Sequence, residues 1–366
     1  MLSRATADLP LHPGKCPKWL FGRMKELAGT IAEAIVLEHG EREFLERISD
    51  PFFFQALGCV IGFDWHSSGL TTTTCGALAE ALRERELGII PAGGKGAASR
   101  KTPSQIKQKG IQLNFPENKI LELIQASRLS AKVDSCLVQD SFNLYHHSFF
   151  FSEKGDWAVI QQGMNAQSSY ARRYHWNSGY VEEFDSEPHT AICCDLKKEQ
   201  TLNLTAKESK ENKRLSLDLV KEPTQKLRKE FNSIVTGEQR NLFNWNSEKK
   251  EKYLFMPRSV NWNALEEAYE IQPENFEQLL SVKGLGGKTI RALSLISELV
   301  YGQEASWKDP VKYSFCVGGK DGVPYPIDRK FYDGTTELME DAIKQTKLGG
   351  PEKMDAIKRM KEVWRE

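Results

Sequence analysis

The sequence predicts an α+β fold: a mixed N-terminal domain with a small antiparallel sheet, residues 1–198, and a helical domain, residues 199–366. Two runs of β-forming residues, Tyr145–Phe151 and Trp157–Gln162, flank the turn sequence Glu153-Lys154-Gly155-Asp156, which reads as a β-hairpin. Amphipathic helical spacing dominates the rest, as in Leu20, Met24, Leu27, Ile31 and Ile35. Beyond Ser186 the chain turns polar and rich in Lys and Glu, which places the boundary between Ile192 and Leu204.

Taken in order, the first helix starts near Trp19 and stops at Gly40, a residue suited to a left-handed cap. A short helix, Glu41–Ile48, follows. Ser49-Asp50-Pro51 then reads as a cap with proline in the first turn of a buried helix, Phe52–Ile61. The polar stretch Gly62-Phe63-Asp64-Trp65-His66-Ser67-Ser68-Gly69 has two readings: a functional cluster, or a capping network for the helix Gly76–Leu82. Pro91–Pro103 is glycine-rich and basic, lacks the spacing of a phosphate-binding P-loop, and is expected to be a mobile loop. A basic helix, Glu117–Leu129, comes next. In the hairpin, His146 and His147 fall on opposite faces of one strand and are not expected to share a metal. After it, Arg172 and Arg173 stand beside Tyr174, His175 and Trp176, a pattern suited either to nucleic-acid contact or to a polar sheet face with an ion pair.

Composition narrows the function. Fifty basic and fifty acidic residues among 366 cancel, so any nucleic-acid contact must use a local basic patch. No apolar run is long enough for a membrane span, and no secretory leader is visible at the start. Seven scattered cysteines without a C-x-x-C spacing fit a reducing, cytoplasmic setting and argue against a cysteine zinc site.

In the C-terminal half, Leu204–Val220 and Thr224–Ile234 read as charged helices, and 333–347 and 351–364 as closing helices. The informative stretch is Ser281–Ile296. Two glycines, Gly284 and Gly286, flank Leu285 between two helical patterns, and Gly287, Lys288 and Thr289 open the second. Such a turn is too tight for a Cβ, buries its apolar residue, and directs backbone N–H groups outward beside a helix N-terminus, where an anion is favoured. These residues resemble the helix-hairpin-helix motif of DNA-binding proteins. Lys288 matches the register of the nucleophilic lysine in lyase-type DNA glycosylases of that superfamily, and Pro326-Ile327-Asp328 resembles the segment bearing their aspartate. The connection from Lys288 to Asp328 is longer than most of those enzymes use.

A second resemblance covers almost the whole chain. Leu9-Pro-Leu-His12, Gly62–Gly69, Leu144–His147, Val159–Met164 and Ala171–Trp176 are similar to a conserved archaeal and bacterial family known as domain-of-unknown-function family 763, which supplies no reaction.

The helix-hairpin-helix resemblance implies a DNA-repair protein. The leading expectation is a glycosylase with lyase activity, Lys288 forming a Schiff base and Asp328 assisting, Gly284, Leu285, Gly286, Gly287, Thr289, Arg172 and Arg173 contacting DNA, and no cofactor needed. One alternative is a nuclease holding Mg or Mn through Asp64, Asp134 and Asp140, with His66 and His146 nearby. Another is a DNA-binding module without chemistry. Asp328 also has a plainer reading, as the cap of a following helix.

Overall fold

A computed structural model of the chain describes residues 18–63, 68–194, 196–236 and 254–313, together with a few isolated positions. Asp64, His66 and Asp328 lie outside the described residues, as do Leu9–His12 and nearly all of the expected closing helices. The architecture is mixed helix and antiparallel sheet. Helix α1 (Lys18–Ser49) is broken at Gly40, whose φ of 87° ends the first segment as the sequence predicts. Helices α2 (Pro51–Val60) and α3 (Gly69–Arg85) follow. The Asp50 side chain accepts the Phe53 amide at 2.7 Å and Pro51 occupies the first turn, so this helix start reads directly from sequence.

Strand β1 (Ile89–Lys95) leads through a 3₁₀ turn (Gly96–Lys101) into α4 (Thr102–Gln112) and α5 (Glu117–Cys136). The expected mobile loop is thus an ordered edge strand. Its glycines serve close approach instead of mobility: at Gly93, with φ 86°, an added Cβ would lie 2.2 Å from the His147 carbonyl oxygen. Pro91 is tolerated because β1 is an edge.

The short β2 (Val138–Gln139) precedes the hairpin of β3 (Asn143–Ser152) and β4 (Trp157–Asn165). Then come β5 (Tyr170–Asn177), β6 (Ala191–Cys193) and β7 (Leu202–Asn203). The five-stranded sheet has the order β1-β3-β4-β5-β6, all neighbours antiparallel. Alternate residues enter different cores. Phe150, Ala158 and Ile160 pack against α1 to α3, whereas Phe149, Phe151, Trp157, Val159, Tyr174 and Trp176 belong to a second cluster with α5. Covering on both faces explains why β3 reads as an unbroken aromatic run.

That second cluster continues into α6 (Lys210–Val220), α7 (Thr224–Thr236), α8 (Trp262–Ile271), α9 (Phe276–Ser281) and α10 (Gly287–Leu299). Among the described residues, one apolar core therefore joins residues on both sides of the boundary expected at 198/199. Strand β2 also pairs with β7 across that boundary. No helix of the described residues is long and apolar enough to cross a membrane.

Candidate functional site

Helices α9 and α10 are joined by the glycine turn. Gly284 has φ 79°, Leu285 is fully buried, and Gly286 caps α10. Asn261, which caps α8 on the Ala264 amide, also donates its side-chain N–H to the Gly284 carbonyl at 3.1 Å. From α5, Lys132 Nζ donates to the Leu285 carbonyl at 2.5 Å, and from β2 Gln139 Nε2 donates to the Gly287 carbonyl at 2.9 Å. The carbonyls of the turn are thus held by the protein. Among the described residues, no protein acceptor takes the backbone N–H of Gly284, Gly286 or Lys288. Lys288 is exposed and Thr289 is buried, its hydroxyl accepting the Asn261 amide.

Beside this unit lies a cavity of about 670 Å³. Its walls come from the 3₁₀ turn (Ser99, Arg100), one face of α5 (Leu121, Ser127, Arg128, Lys132), the start of β3 (Leu144, His146, His147), Gln161 of β4, and the end of α9 (Leu280, Ser281). Arg128 and Lys132 share the face because they are four residues apart on a helix. Among the described residues, no Asp or Glu lines the cavity. Arg100 and Arg128 are exposed and form no ion pair among the described residues. The rim is therefore cationic, a feature that net charge conceals.

The cavity floor is a relay of hydrogen bonds. Ser127 Oγ lies 2.9 Å from His147 Nε2. His147 Nδ1 lies 2.8 Å from Gln161 Oε1, its direct cross-strand neighbour. Gln161 Nε2 donates to Asp134 Oδ2 at 2.5 Å, and Trp176 donates to the same oxygen at 3.1 Å. His189 Nε2 meets Asp134 Oδ1 at 2.5 Å. This order fixes the tautomer. A carboxylate only accepts, so Gln161 turns its NH₂ to Asp134 and its oxygen to His147; Nδ1 then carries the imidazole proton and Nε2 is left to accept from Ser127. Burial pulls the His147 pKa down to about 4, against the pull of the Gln161 hydrogen bond, so the ring is neutral at physiological pH. Burial, with His147 and Lys95 adding to it, takes His146 down to about 3. The His146 ring Nδ1 has no hydrogen-bond partner among the described residues.

A second polar centre is sealed. Arg172 donates to Asp140 Oδ2 at 2.9 Å and forks onto both oxygens of Asp309 at 3.0 and 2.8 Å. Tyr174 donates to Asp140 at 2.6 Å, and the Leu196 carbonyl accepts from Arg172 at 3.0 Å. Burial alone disfavours the charged guanidinium, but Asp140, Tyr174 and Asp309 outweigh it and raise the Arg172 pKa. Arg173, on the opposite face of β5, donates to Gln55, Thr71 and His175 at 3.0, 3.3 and 2.8 Å.

Both arginines are fully buried, so neither offers a guanidinium to a DNA surface in this structure. Their neighbouring aromatics belong to the core, and the sequence pattern marks internal bracing. The polar group Asp134, Asp140 and His146 is likewise divided: Asp134 sits in the relay, Asp140 in the arginine clamp, and His146 on the cavity wall beside Ser148. Among the described residues no three His, Cys, Asp or Glu side chains are placed to hold a metal ion. Sequence reasoning missed Ser127, Gln161 and Asp309. The available signal was polar residues, His147 and Gln161, on the face otherwise carrying Phe149, Phe151 and Val159.

The arrangement defines an α+β protein with a cation-rimmed cavity packed against a glycine-turn helix pair. The family model described as "Protein of unknown function (DUF763)" matches residues 5–327, and the chain belongs to that family. No curated protein and no solved structure matches it.

Proposed function

We propose that this protein binds DNA and acts in DNA repair, with the glycine turn as a helix-hairpin-helix phosphate contact and the adjoining cavity as the place for an unstacked nucleotide. One observation carries the reading: Leu280 and Ser281, which end the helix before the turn, line the same cavity as Arg100, Arg128 and Lys132. A phosphate on the outward amides of Gly284, Gly286 and Lys288 leaves the next nucleotide beside a cationic rim. Backbone grip at a helix start and base extrusion into a pocket are the two requirements of base-excision chemistry.

The reaction we assign is glycosylase and lyase chemistry by Lys288. Its amine attacks C1′ of the sugar, the base leaves, and the resulting Schiff base promotes strand cleavage. Asp328 assists by offsetting positive charge on the sugar. No cofactor is required.

Borohydride trapping on duplexes bearing an abasic site, 8-oxoguanine, uracil or hypoxanthine tests this. The expected result is a covalent protein–DNA adduct that disappears in Lys288→Gln while DNA binding persists. Strand cleavage unchanged in Lys288→Gln sinks the lysine chemistry. Salt-sensitive binding without turnover on any duplex leaves a DNA-binding module. Cleavage abolished by EDTA transfers the reaction to a Mg or Mn nuclease.

A further inference from the structure

The geometry points to a second reaction centre inside the cavity: Ser127 is a nucleophile, His147 its base, and the substrate class is a phosphate monoester at a nucleotide or DNA end. This rests on the DNA-repair reading only for the identity of the ester; the chemistry is independent of Lys288.

Three observations converge. The Ser127–His147 separation of 2.9 Å is within reach for proton transfer, and the base is itself oriented by Gln161 at 2.8 Å. Nucleophile, base and orienting group in that order are the geometric signature of an activated hydroxyl. Asp134 braces the amide from behind at 2.5 Å, so the accepting nitrogen of His147 is fixed toward Ser127. Finally, Ser127 and His147 both line a cavity whose charged walls, among the described residues, are Arg100, Arg128 and Lys132, which suits a dianion. A relay that served packing alone would not need a cavity at its terminal hydroxyl. On the same wall, the Nδ1 of His146 has no hydrogen-bond partner among the described residues.

The chemistry closes without a cofactor. Ser127 Oγ attacks phosphorus as its proton passes to His147 Nε2. The bond from phosphorus to the sugar oxygen breaks, and that oxygen takes the proton back from His147. The phosphoserine is then attacked by water, whose proton passes to His147 and on to Ser127 as the P–Oγ bond breaks. The net reaction consumes one water and yields a sugar hydroxyl and inorganic phosphate. Strand cleavage at a damaged site leaves phosphate-bearing ends, so this activity belongs after a lyase step, as end cleaning.

The test uses the full-length protein in EDTA with p-nitrophenyl phosphate and with terminally phosphorylated oligonucleotides, read by phosphate release and by intact mass after acid quench. We expect turnover, a phosphoryl adduct mapped to Ser127, loss of both in Ser127→Ala, and a fall of about a hundredfold or more in His147→Gln. Arg128→Gln, an exposed change that leaves the fold intact, should raise KM severalfold with little change in kcat. Absence of turnover in the wild type, or phosphate release persisting in a folded Ser127→Ala, overturns the proposal. Since p-nitrophenyl phosphate carries no DNA, failure of the DNA-binding reading leaves this assay unaffected, and failure here leaves borohydride trapping unaffected.

Discussion

Two aspartates beneath one face of the sheet have opposite fates. Asp140 is locked with Arg172, Asp309 and Tyr174 in a buried network, none of whose members lines the cavity beside the glycine turn. Asp134 heads a chain of mostly neutral groups that ends at a hydroxyl on a cavity wall. Both are buried, and burial pushes both carboxyls up. The difference is what compensates them. A full positive charge with a forked geometry makes a clamp, because removing either partner strands the other in a low dielectric. Asp134 is instead compensated by His189 together with the Gln161 and Trp176 N–H donors, and on its Gln161 side the chain ends at a hydroxyl beside an imidazole nitrogen that can take its proton.

Breaking the clamp should have the largest effect. Arg172→Met leaves two buried carboxylates without their cation, and we expect a loss of about 3–5 kcal/mol or failure to fold. Urea melts measure it, and a loss under 1 kcal/mol would deny the clamp its structural role. Adding Asp140→Asn and Asp309→Asn to that variant should recover part of the loss.

The relay predicts an acid response. Below its ordinary value near 6.5 the unfolded His147 imidazole gains a proton that the folded one refuses until about pH 4. Stability is therefore present above that window and falls as pH drops through it, by about 1.4 kcal/mol per pH unit for this group. His146 acts in the same direction, with its folded value near 3. Urea melts of His147→Gln should show a slope flatter by about that amount between pH 6 and 4.5; an unchanged slope would mean that the ring is not held neutral.

Smaller effects sharpen the contrast. Ser127→Ala removes one hydroxyl at a cavity wall, and its cost in stability should be about 1 kcal/mol. A loss as large as that of the clamp variant would make Ser127 structural. Lys132→Ala frees the Leu285 carbonyl. It should lower stability by about 1 kcal/mol and reduce the salt dependence of DNA binding by about one unit of slope.

Local signals were legible in the sequence. The Asp50–Pro51 cap, the Gly40 break, the Gly155 turn and the Gly284–Gly286 turn each rest on a backbone requirement that one or two residues meet. What stayed hidden depends on distance along the chain. Arg172 and Arg173 look like a surface pair because aromatic neighbours suit stacking. Their true environment is set by Asp309, 137 residues away, and by Gln55, 118 residues away. The glycines of β1 were misjudged for a related reason: the His147 carbonyl that excludes a Cβ at Gly93 comes from another strand. Ser127 carries no local mark at all, since a serine in a helix is ordinary until His147 is placed against it.

The clamp also bears on how the chain is made. The sheet face covered by α1 to α3 meets partners that precede it in the chain. The opposite face is completed by α6 to α10, and Arg172 receives its second carboxylate only from Asp309. At usual rates of synthesis the half-built face and its arginine wait on the order of 10 s for their partners to emerge. Over that interval the nascent protein presents aromatic surface to solvent, and Arg172 stays hydrated until its second carboxylate arrives. A fragment truncated before Asp309 leaves that face uncovered and is expected to be prone to aggregation.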